Sequence, residues 1–207
     1  AGEGGIITTN DSGLYEKLLC LHDYGRAGGV VAELGTNARL AEWQCAILRA
    51  QLHRLDADNE RRYRNKGILE EVFRQTKSLE PLKRDDRITM NSCHVFTFRY
   101  HSENLLGLTR QQFFKALCAE NVCSGGPGYA EPIYTMKFMH SDEFLKKTGR
   151  KFMTRPEQMP GNEIVAHSEG CWFYHSTLLG EKEDTERLAE AIFKVEANAE
   201  ALVKEFS

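Results

Sequence analysis

A short β-branched segment near the start of the chain, GGIITTN at residues 4–10, has the composition of an interior strand. An interior strand needs hydrogen-bonded neighbours, because its N–H and C=O groups cannot remain unpaired away from water. Residues 1–60 predict no second strand that could pair with it. Residues 1–60 therefore cannot form a self-sufficient domain, and the predicted strand requires neighbours from outside this segment.

The glycines of GEGG, at residues 2–5, come before this predicted strand. In a dinucleotide fingerprint the glycines lie between a strand and a helix, and a P-loop also needs Gly-Lys-Ser/Thr. Neither context is present in the sequence around residues 2–5. The glycines therefore predict a tight turn with positive φ and a close approach of the backbone to another group.

Hydrophobic spacing predicts helices and strands along most of the chain. The predicted helices begin at Asp11 or Ser12 and span residues 40–53, 56–75, 109–121 and 182–206; further strands are predicted at 93–100 and 171–175. Residues 23–37 predict a glycine-rich loop, and residues 122–162 predict a short strand followed by irregular loop. Trp43 and Trp172 are assigned to the core.

Composition excludes several classes of protein. No apolar run reaches the roughly 20 residues that a membrane-crossing helix needs, and no signal peptide is visible. Net charge is −3, with basic and acidic residues interspersed, so we expect no DNA or RNA binding. The six cysteines contain no C-x-x-C pair, which predicts buried free thiols in a reducing cytoplasm, and the histidine spacing predicts no metal site.

Several segments together resemble the DegT/DnrJ/EryC1/StrS family. The specific part is GEGGIITTND, LHDYGR, LGTNARLAEWQCAILRAQLHRLD and ERR, all within residues 2–62. A weaker match extends through GYAEPIY to the C-terminal helix, and WFYHSTLLG is most similar to the branch that aminates inososes. Members of this family are sugar and cyclitol aminotransferases that depend on pyridoxal phosphate and have the aspartate-aminotransferase fold.

The resemblance implies an α/β fold class: the C-terminal part of a pyridoxal-phosphate-dependent transferase. Residues 1–59 would be a three-layer-like remnant of the large cofactor-binding domain, and residues 60–207 a small α/β sandwich domain. In the family, the Schiff-base lysine lies a few residues before the Gly-Glu-Gly-Gly turn. We therefore expect a C-terminal fragment that has no catalytic residue of its own, binds no cofactor alone and is inactive alone. Lys17, on a predicted helix, does not match that lysine.

The resemblance also implies cofactor contacts from the GTNAR segment at residues 35–39, which in the family reaches the cofactor phosphate of the partner subunit. Here the matching side chains are Asn37 and Arg39, and an amide and a guanidinium suit phosphate oxygens. Their structural alternatives are a cap by Asn37 on a helix that begins near Leu40, and ion pairs of Arg39 with Glu42 or Asp56.

Further site residues follow from the same resemblance. Gly4 and Gly5 would carry the backbone near the cofactor, and Glu3 would contact substrate or hold the turn through an ion pair. Tyr129 and Tyr134 would border the sugar pocket, with loop packing as the alternative. His175 would face the pocket from a strand end, with a purely structural role as the alternative.

The expected function of the parent protein is amino transfer to a keto-sugar or inosose-like keto-cyclitol, with glutamine or glutamate as the donor, in a cytoplasmic homodimer. One alternative is a pyridoxal- or pyridoxamine-phosphate-dependent sugar dehydratase of the same family, in which histidine replaces the lysine. Another is a non-catalytic α/β module that dimerises.

Overall fold

A computed structural model of the chain describes residues 2–122, 124–150 and 155–206. The chain forms two compact units, Ala1–Ala57 and Asp58–Ser207. The boundary predicted from the sequence lies after residue 59. Among the described residues, no helix combines the length and apolar character that crossing a bilayer requires.

The first unit contains helix α1, Ser12–His22, and a short antiparallel hairpin of strands β1, Arg26–Ala27, and β2, Val30–Val31. Helix α1 begins where the sequence predicts, because the Asp11 side chain accepts a 2.9 Å hydrogen bond from the Leu14 N–H. The hairpin lies within the segment that the sequence predicts as plain loop.

The strand predicted at residues 4–10 is wrong. The described part of this segment contains no strand, and the side chains of Ile6 and Ile7 are 89% and 70% exposed. A strand forms only with a hydrogen-bonded neighbour, and no described segment pairs with residues 4–10.

The two helices predicted at 40–53 and 56–75 are one continuous helix α2, Glu42–Gln75. No glycine or proline lies between the two predicted helices, so nothing in the sequence ends the first one. The first turns of α2 expose their apolar side chains, and Trp43 is 63% exposed. Its assignment to the core is therefore wrong within the first unit.

The second unit is built on a four-stranded antiparallel sheet in the order β3-β4-β6-β5. The strands are β3, Leu79–Pro81; β4, Val95–Tyr100; β5, Gly125–Pro127; and β6, Gly170–Tyr174. In β4 the buried and partly exposed positions alternate, as the period of a strand with one covered face requires.

Helices cover one face of this sheet. They are the C-terminal part of α2 together with α3, Arg110–Ala119; α6, Lys182–Ala197; and α7, Ala199–Phe206. Helix α3 begins with the predicted cap, since Thr109 and Gln112 form a capping box. The C-terminal helix predicted as one element is interrupted at Asn198. Of its predicted apolar stripe, Leu188, Ile192, Val195 and Ala199 are buried, and Leu202 and Phe206 are partly buried.

Aromatic side chains fill the core between the sheet and these helices. The Phe98 ring centroid lies 5.0 Å from that of Phe73 on α2 and 5.0 Å from that of Phe173 on β6. Both rings are tilted against Phe98, an arrangement that favours edge-to-face contact. The prediction of a small α/β sandwich is confirmed in this second unit.

The segment between β5 and β6 lies over part of the other sheet face. Its described residues form two short helices, α4, Asp142–Thr148, and α5, Pro160–Ile164, and one π-helical turn at Val165–Glu169. Arg110, which is only 2% exposed, donates hydrogen bonds to the carbonyl oxygens of Val165, Ala166 and Gly170. This buried guanidinium fixes the π-helical turn against α3.

The cysteine prediction is partly wrong. Cys20, Cys93 and Cys171 are buried free thiols, but Cys45 and Cys118 are exposed, and Cys123 lies outside the described residues. Cys118 lies on the side of α3 that is turned away from its buried apolar face, and Cys45 lies in the first turns of α2, where the apolar side chains are exposed as well.

Candidate functional site

The predicted phosphate-binding pair forms a compact group in the first unit. The Asn37 side-chain oxygen accepts hydrogen bonds from the Arg39 backbone N–H, at 3.3 Å, and from the Arg39 Nε, at 3.1 Å. This short Asx-type turn holds the two polar side chains on the same side of the loop. The structure therefore brings Asn37 and Arg39 together.

Two further side chains hold the Arg39 guanidinium in place. Its Nη1 forms an ion pair with Asp23 at 3.0 Å, although the alignment is not that of a hydrogen bond. The same guanidinium lies 5.2 Å from the ring centroid of Tyr24, and that of Arg26 lies 5.7 Å from the same ring. Cation–π contact with Tyr24 thus orients both arginines.

The backbone around this group leaves no room for side chains at two glycines. A Cβ at Gly25 would lie 1.8 Å from the Glu33 carbonyl oxygen, and a Cβ at Gly35 would lie 2.1 Å from the Gly25 nitrogen. Gly25 also has a φ of +75°, which favours glycine. The glycine-rich loop is therefore tightly closed on itself, which keeps Asn37 and Arg39 in a fixed setting.

Neither structural alternative for these residues is present in the described chain. Helix α2 begins at Glu42, and the side chain that bonds its first turn is that of Gln44, which accepts from the Ala41 N–H at 2.9 Å. Asn37 is therefore not its cap. Arg39 pairs with Asp23 and not with Glu42 or Asp56.

Among residues 2–122, 124–150 and 155–206, neither the Nδ2 of Asn37 nor the Nη2 of Arg39 has a hydrogen-bond acceptor or an ion-pair partner. An amide N–H and a guanidinium N–H that remain available in one hydrogen-bonded pair of side chains suit a phosphate group. The residues present therefore fit the phosphate of the cofactor that the family binds.

Lys17 on α1 is engaged elsewhere. Its ammonium group pairs with Glu33, and the pKa of Glu33 is lowered, chiefly by this hydrogen bond and then by one from Cys20. Burial raises the pKa of Cys20, and its hydrogen bond with Glu33 adds to the rise. This small cluster ties α1 to the glycine-rich loop.

The glycine turn at residues 2–5 has only part of the conformation that the sequence predicts. Gly2 has a φ of +76°, and a Cβ at Gly4 would lie 2.8 Å from the Leu40 side chain. A Cβ at Gly5 would meet nothing within 4 Å. Glu3 is exposed, and no described basic group lies within ion-pair distance of it, so the predicted ion pair is not formed in the described chain.

The second unit contains an apolar cavity of about 600 Å³ on the sheet face that is turned away from the helical core. Three walls line it: one face of the central strands β4 and β6, the GYAEPIY loop, and the helical segment that precedes β6. Its lining residues include Thr97, Tyr129, Glu131, Ile133, Val165 and Trp172.

Tyr129, which the family resemblance predicts as a substrate contact, lines this cavity. The ring is 82% exposed, and its centroid lies 4.9 Å from that of Trp172 in an edge-on arrangement with an interplanar angle of 77°. Trp172 was assigned to the core, but it is only partly buried and lines the cavity. Trp172 lies between the buried residues Cys171 and Phe173 in β6, and successive strand positions face opposite sides of the sheet, so its side chain faces away from the core.

Tyr134 has a different setting. Its side chain is 7% exposed, and the hydroxyl donates a 2.6 Å hydrogen bond to Glu163 on α5. Burial, and then this hydrogen bond, raise the pKa of Tyr134 to about 12. Glu163 also pairs with His167 at 3.2 Å. The hydroxyl that was expected at the substrate is thus already committed to holding the GYAEPIY loop against α5.

His175 follows β6 and is exposed. Its ring stacks loosely on that of His94, with centroids 6.1 Å apart and planes 16° apart. It does not line the apolar cavity. Its predicted role at the substrate stays a prediction, as do those of Tyr129, Tyr134 and Glu3.

Sequence reasoning missed four residues that shape these two groups. Asp23 and Tyr24 orient Arg39, and both lie in the LHDYGR motif that was quoted for the resemblance alone. Glu163 and Arg110 hold the cavity walls through hydrogen bonds to residues 29 or more positions away. No local pattern could indicate those partners, because the contacts depend on the tertiary fold.

Comparison with solved structures defines the class of fold. The chain superposes on an aminotransferase from Psychrobacter cryohalolentis with a TM-score of 0.69 at 20% identity, covering 93% of this chain and 51% of that one. It superposes on 3-amino-5-hydroxybenzoic acid synthase with a TM-score of 0.67 at 23% identity, covering 93% and 48%. The fold is thus part of the α/β fold of pyridoxal-phosphate-dependent aminotransferases.

Sequence comparison identifies the family within that class. The DegT/DnrJ/EryC1/StrS aminotransferase family matches residues 1–158. The chain belongs to this family, which confirms the resemblance read from its motifs.

The curated relatives have more specific names. A protein of Micromonospora echinospora, provisionally named an L-glutamine:3-amino-2,3-dideoxy-scyllo-inosose aminotransferase, is 29% identical over 99% of this chain and 51% of its own length. An L-glutamine:2-deoxy-scyllo-inosose aminotransferase of Streptoalloteichus tenebrarius is 26% identical over 94% and 50%. The erythromycin biosynthesis sensory transduction protein EryC1 of Saccharopolyspora erythraea is 47% identical over 30% of this chain and 17% of its own length. This chain spans about half the length of the relatives that it matches along its whole extent.

Proposed function

We propose that this chain is the C-terminal part of a pyridoxal-phosphate-dependent aminotransferase that moves the amino group of L-glutamine to an inosose-like keto-cyclitol. The observation that carries the proposal is the match, over nearly the whole chain, to relatives that are named for this donor and this class of acceptor. The available donors of Asn37 and Arg39 support the proposal that the cofactor is pyridoxal phosphate. The protein works in the cytoplasm.

The role of the first unit is to hold the cofactor phosphate. Asn37 Nδ2 and Arg39 Nη2 donate to phosphate oxygens, while Asp23 and Tyr24 keep the guanidinium from turning away. As in the family, these residues act on the cofactor of the partner subunit in a homodimer. Gly4 and Gly5 bring the backbone close to the cofactor because no side chain intervenes there.

Bound pyridoxal phosphate supplies the electron sink that allows an amino group to leave one carbon and join another. The chain's own residues bind and orient the reactants. Tyr129 stacks on the ring of the acceptor, and Glu3 and His175 bind its hydroxyl groups. Tyr134 keeps the loop that carries Tyr129 in position through its bond with Glu163. The 207 residues contain no lysine at the family's motif position, so by themselves they form no imine with the cofactor and do not turn over.

The test is a donor half-reaction with the complete product of the gene. The protein is loaded with pyridoxal phosphate, and the absorbance of the bound cofactor is followed as L-glutamine is added. We expect a spectral change with L-glutamine, its reversal on addition of a keto-cyclitol, and no change with D-glutamine. The 207-residue chain alone is expected to give no change. A complete protein that binds the cofactor but responds to no amino donor would contradict the proposal.

A further inference from the structure

The apolar cavity of the second unit is continuous with the proposed acceptor contact. The proposed function places Tyr129 against the ring of the acceptor, and the Tyr129 ring lies edge-on to Trp172, with centroids 4.9 Å apart. Both side chains line the cavity. An acceptor ring that stacks on Tyr129 therefore turns one of its edges towards Trp172, and the residues around Trp172 decide which substituents that edge can carry.

The side chains around Trp172 are mainly hydrocarbon. Ile133 belongs to the GYAEPIY loop and Val165 to the π-helical turn, so they approach Trp172 from two different walls. Thr97 is paired with Trp172 in the register of β4 and β6, and it brings one hydroxyl to this surface. The other polar side chains of the lining are Arg99, Tyr129, Glu131 and Asn162. An acceptor edge that packs on Trp172, Ile133 and Val165 therefore meets few groups that could bond a hydroxyl.

This surface is fixed before a ligand arrives. The Gly128 N–H donates to the Gly170 carbonyl at 2.8 Å, which joins the GYAEPIY loop to β6. Arg110 holds the π-helical turn through its bond with the same Gly170 carbonyl, and the bond between Tyr134 and Glu163 joins the loop to α5. Because the three walls are tied to one another, they cannot easily turn new polar groups towards a substrate hydroxyl.

A hydrocarbon surface of this kind distinguishes a ring CH2 group from a ring CHOH group. The hydroxyl donates one hydrogen bond and accepts up to two in water, and it loses them without replacement when it is pressed against hydrocarbon. The CH2 group loses nothing and gains from the removal of its apolar surface from water. A hydrophobic pocket rejects a ligand that only adds a hydroxyl by up to about 100-fold.

We propose that Trp172, together with Ile133 and Val165, determines the specificity for the acceptor by selecting a keto-cyclitol in which one ring carbon is a CH2 group. The CH2 edge of the acceptor packs on the Trp172 ring, and its hydroxyl groups face away from this surface. The inference rests on the proposed function, because it takes Tyr129 as a contact of the acceptor.

Two acceptors that differ by one hydroxyl test the proposal. The complete gene product, loaded with pyridoxal phosphate, is given L-glutamine and either 2-deoxy-scyllo-inosose or scyllo-inosose, and kcat/KM for each acceptor is measured from the aminated cyclitol by mass spectrometry. We expect a preference of about 10- to 100-fold for the deoxy acceptor. Equal values of kcat/KM, or a preference for scyllo-inosose, would overturn the proposal.

Two variants assign the preference to this surface. Trp172→Gln replaces the ring with an amide that can donate to and accept from a hydroxyl, and it should lower the preference at least about fivefold. Val165→Thr adds one hydroxyl with little change of shape, and it should lower the preference about two- to fivefold, the usual effect of one hydrogen bond. The ratio of the two kcat/KM values is the readout, because a damaged fold lowers both values together and leaves their ratio unchanged.

A matched control and the possible outcomes separate this inference from the proposed function. Phe193→Gln removes a 39% exposed ring on α6 that does not line the cavity, and it should leave the preference unchanged. A wild-type preference that survives both Trp172→Gln and Val165→Thr would overturn the inference. Equal use of both acceptors by the wild-type protein overturns the inference alone and supports the proposed function. A protein that binds the cofactor but aminates neither acceptor overturns the proposed function, and the inference with it.

Discussion

The side chains of Asn37 and Arg39 are joined by a 3.1 Å hydrogen bond from the Arg39 Nε to the Asn37 Oδ1. This bond uses the amide oxygen and one guanidinium N–H, and it leaves the amide nitrogen and the outer guanidinium nitrogen as donors. The pair is therefore organised before any ligand arrives, which is the condition under which such donors contribute most to binding.

The first prediction concerns the phosphate of the cofactor. Arg39→Gln in the complete gene product should weaken binding of pyridoxal phosphate about tenfold, because one charge-assisted hydrogen bond is lost. Binding of pyridoxal, which has no phosphate, should be unchanged. Equilibrium dialysis with both compounds measures the difference. Arg49→Gln, an exposed arginine on α2, is the control; an equal loss of affinity for both compounds in Arg39→Gln would indicate a damaged fold instead.

The second prediction concerns the loop that carries Tyr129. Tyr134→Phe should lower the urea midpoint of the protein by about 0.5 M, because the Glu163 carboxylate loses the hydrogen bond of a buried hydroxyl. Tyr174→Phe, in which the altered ring is 45% exposed, should change the midpoint little. Urea unfolding followed by circular dichroism compares the two. Equal midpoints for both variants would show that the bond between Tyr134 and Glu163 does not stabilise the loop.

The third prediction concerns the buried guanidinium of Arg110. Arg110→Met should destabilise the protein by about 3 kcal/mol, because three partly buried carbonyl oxygens lose their charged donor. Arg74→Met, which breaks an exposed ion pair with Glu71, should cost less than about 1 kcal/mol. Equilibrium unfolding in urea gives both values. A change below that of Arg74→Met would rule out a structural role for the Arg110 contacts.

The fourth prediction is a pH dependence. The hydrogen bond from Arg99, outweighing the effect of burial, lowers the pKa of Glu169 in the folded chain. A carboxyl group with a lowered folded pKa stabilises the fold above its unfolded pKa of about 4.3, and this contribution is lost as pH falls through the folded pKa. Glu169→Gln should therefore cost about 1 kcal/mol at pH 7 and progressively less below about pH 4.

Urea midpoints of the wild-type protein and of Glu169→Gln, measured from pH 7 down to pH 3, follow this effect. Glu143→Gln is the control, because its partner Lys147 is an exposed helix neighbour. A difference between wild type and Glu169→Gln that stays constant over the whole range would contradict the assigned direction.

Elements with strong local signals could be predicted from the sequence, and those that depend on partners could not. The caps at Asp11 and Thr109 and the alternation in β4 are local, and they formed as predicted. The strand at residues 4–10 depends on a neighbouring strand, and the structure does not form it. Helix α2 was divided in two because its apolar stripe fades near residue 55, although no residue there breaks a helix.

The residues of the candidate sites could likewise be predicted where the signal is local, and not where it depends on distant partners. Asn37 and Arg39 could be named because a contiguous motif carries them, and they are neighbours in the fold as well. The partners that orient Arg39 are Asp23 and Tyr24, which lie 16 and 15 positions before it. They are on the far side of a glycine-rich loop, and no hydrophobic period in the sequence predicts how that loop closes. Trp172 is a large apolar residue of the kind that usually lies in a core, and only the sheet register shows that it faces the cavity.

The most direct test of the account is transfer of labelled nitrogen by the complete gene product. The protein, loaded with pyridoxal phosphate, is incubated with L-glutamine labelled with ¹⁵N at the α-amino group and with 2-deoxy-scyllo-inosose, and the cyclitol is analysed by mass spectrometry. We predict an aminated cyclitol that carries the label, formed more slowly by Arg39→Gln. A cyclitol that has lost water without gaining nitrogen, or that is recovered unchanged while the cofactor is bound, would contradict the account.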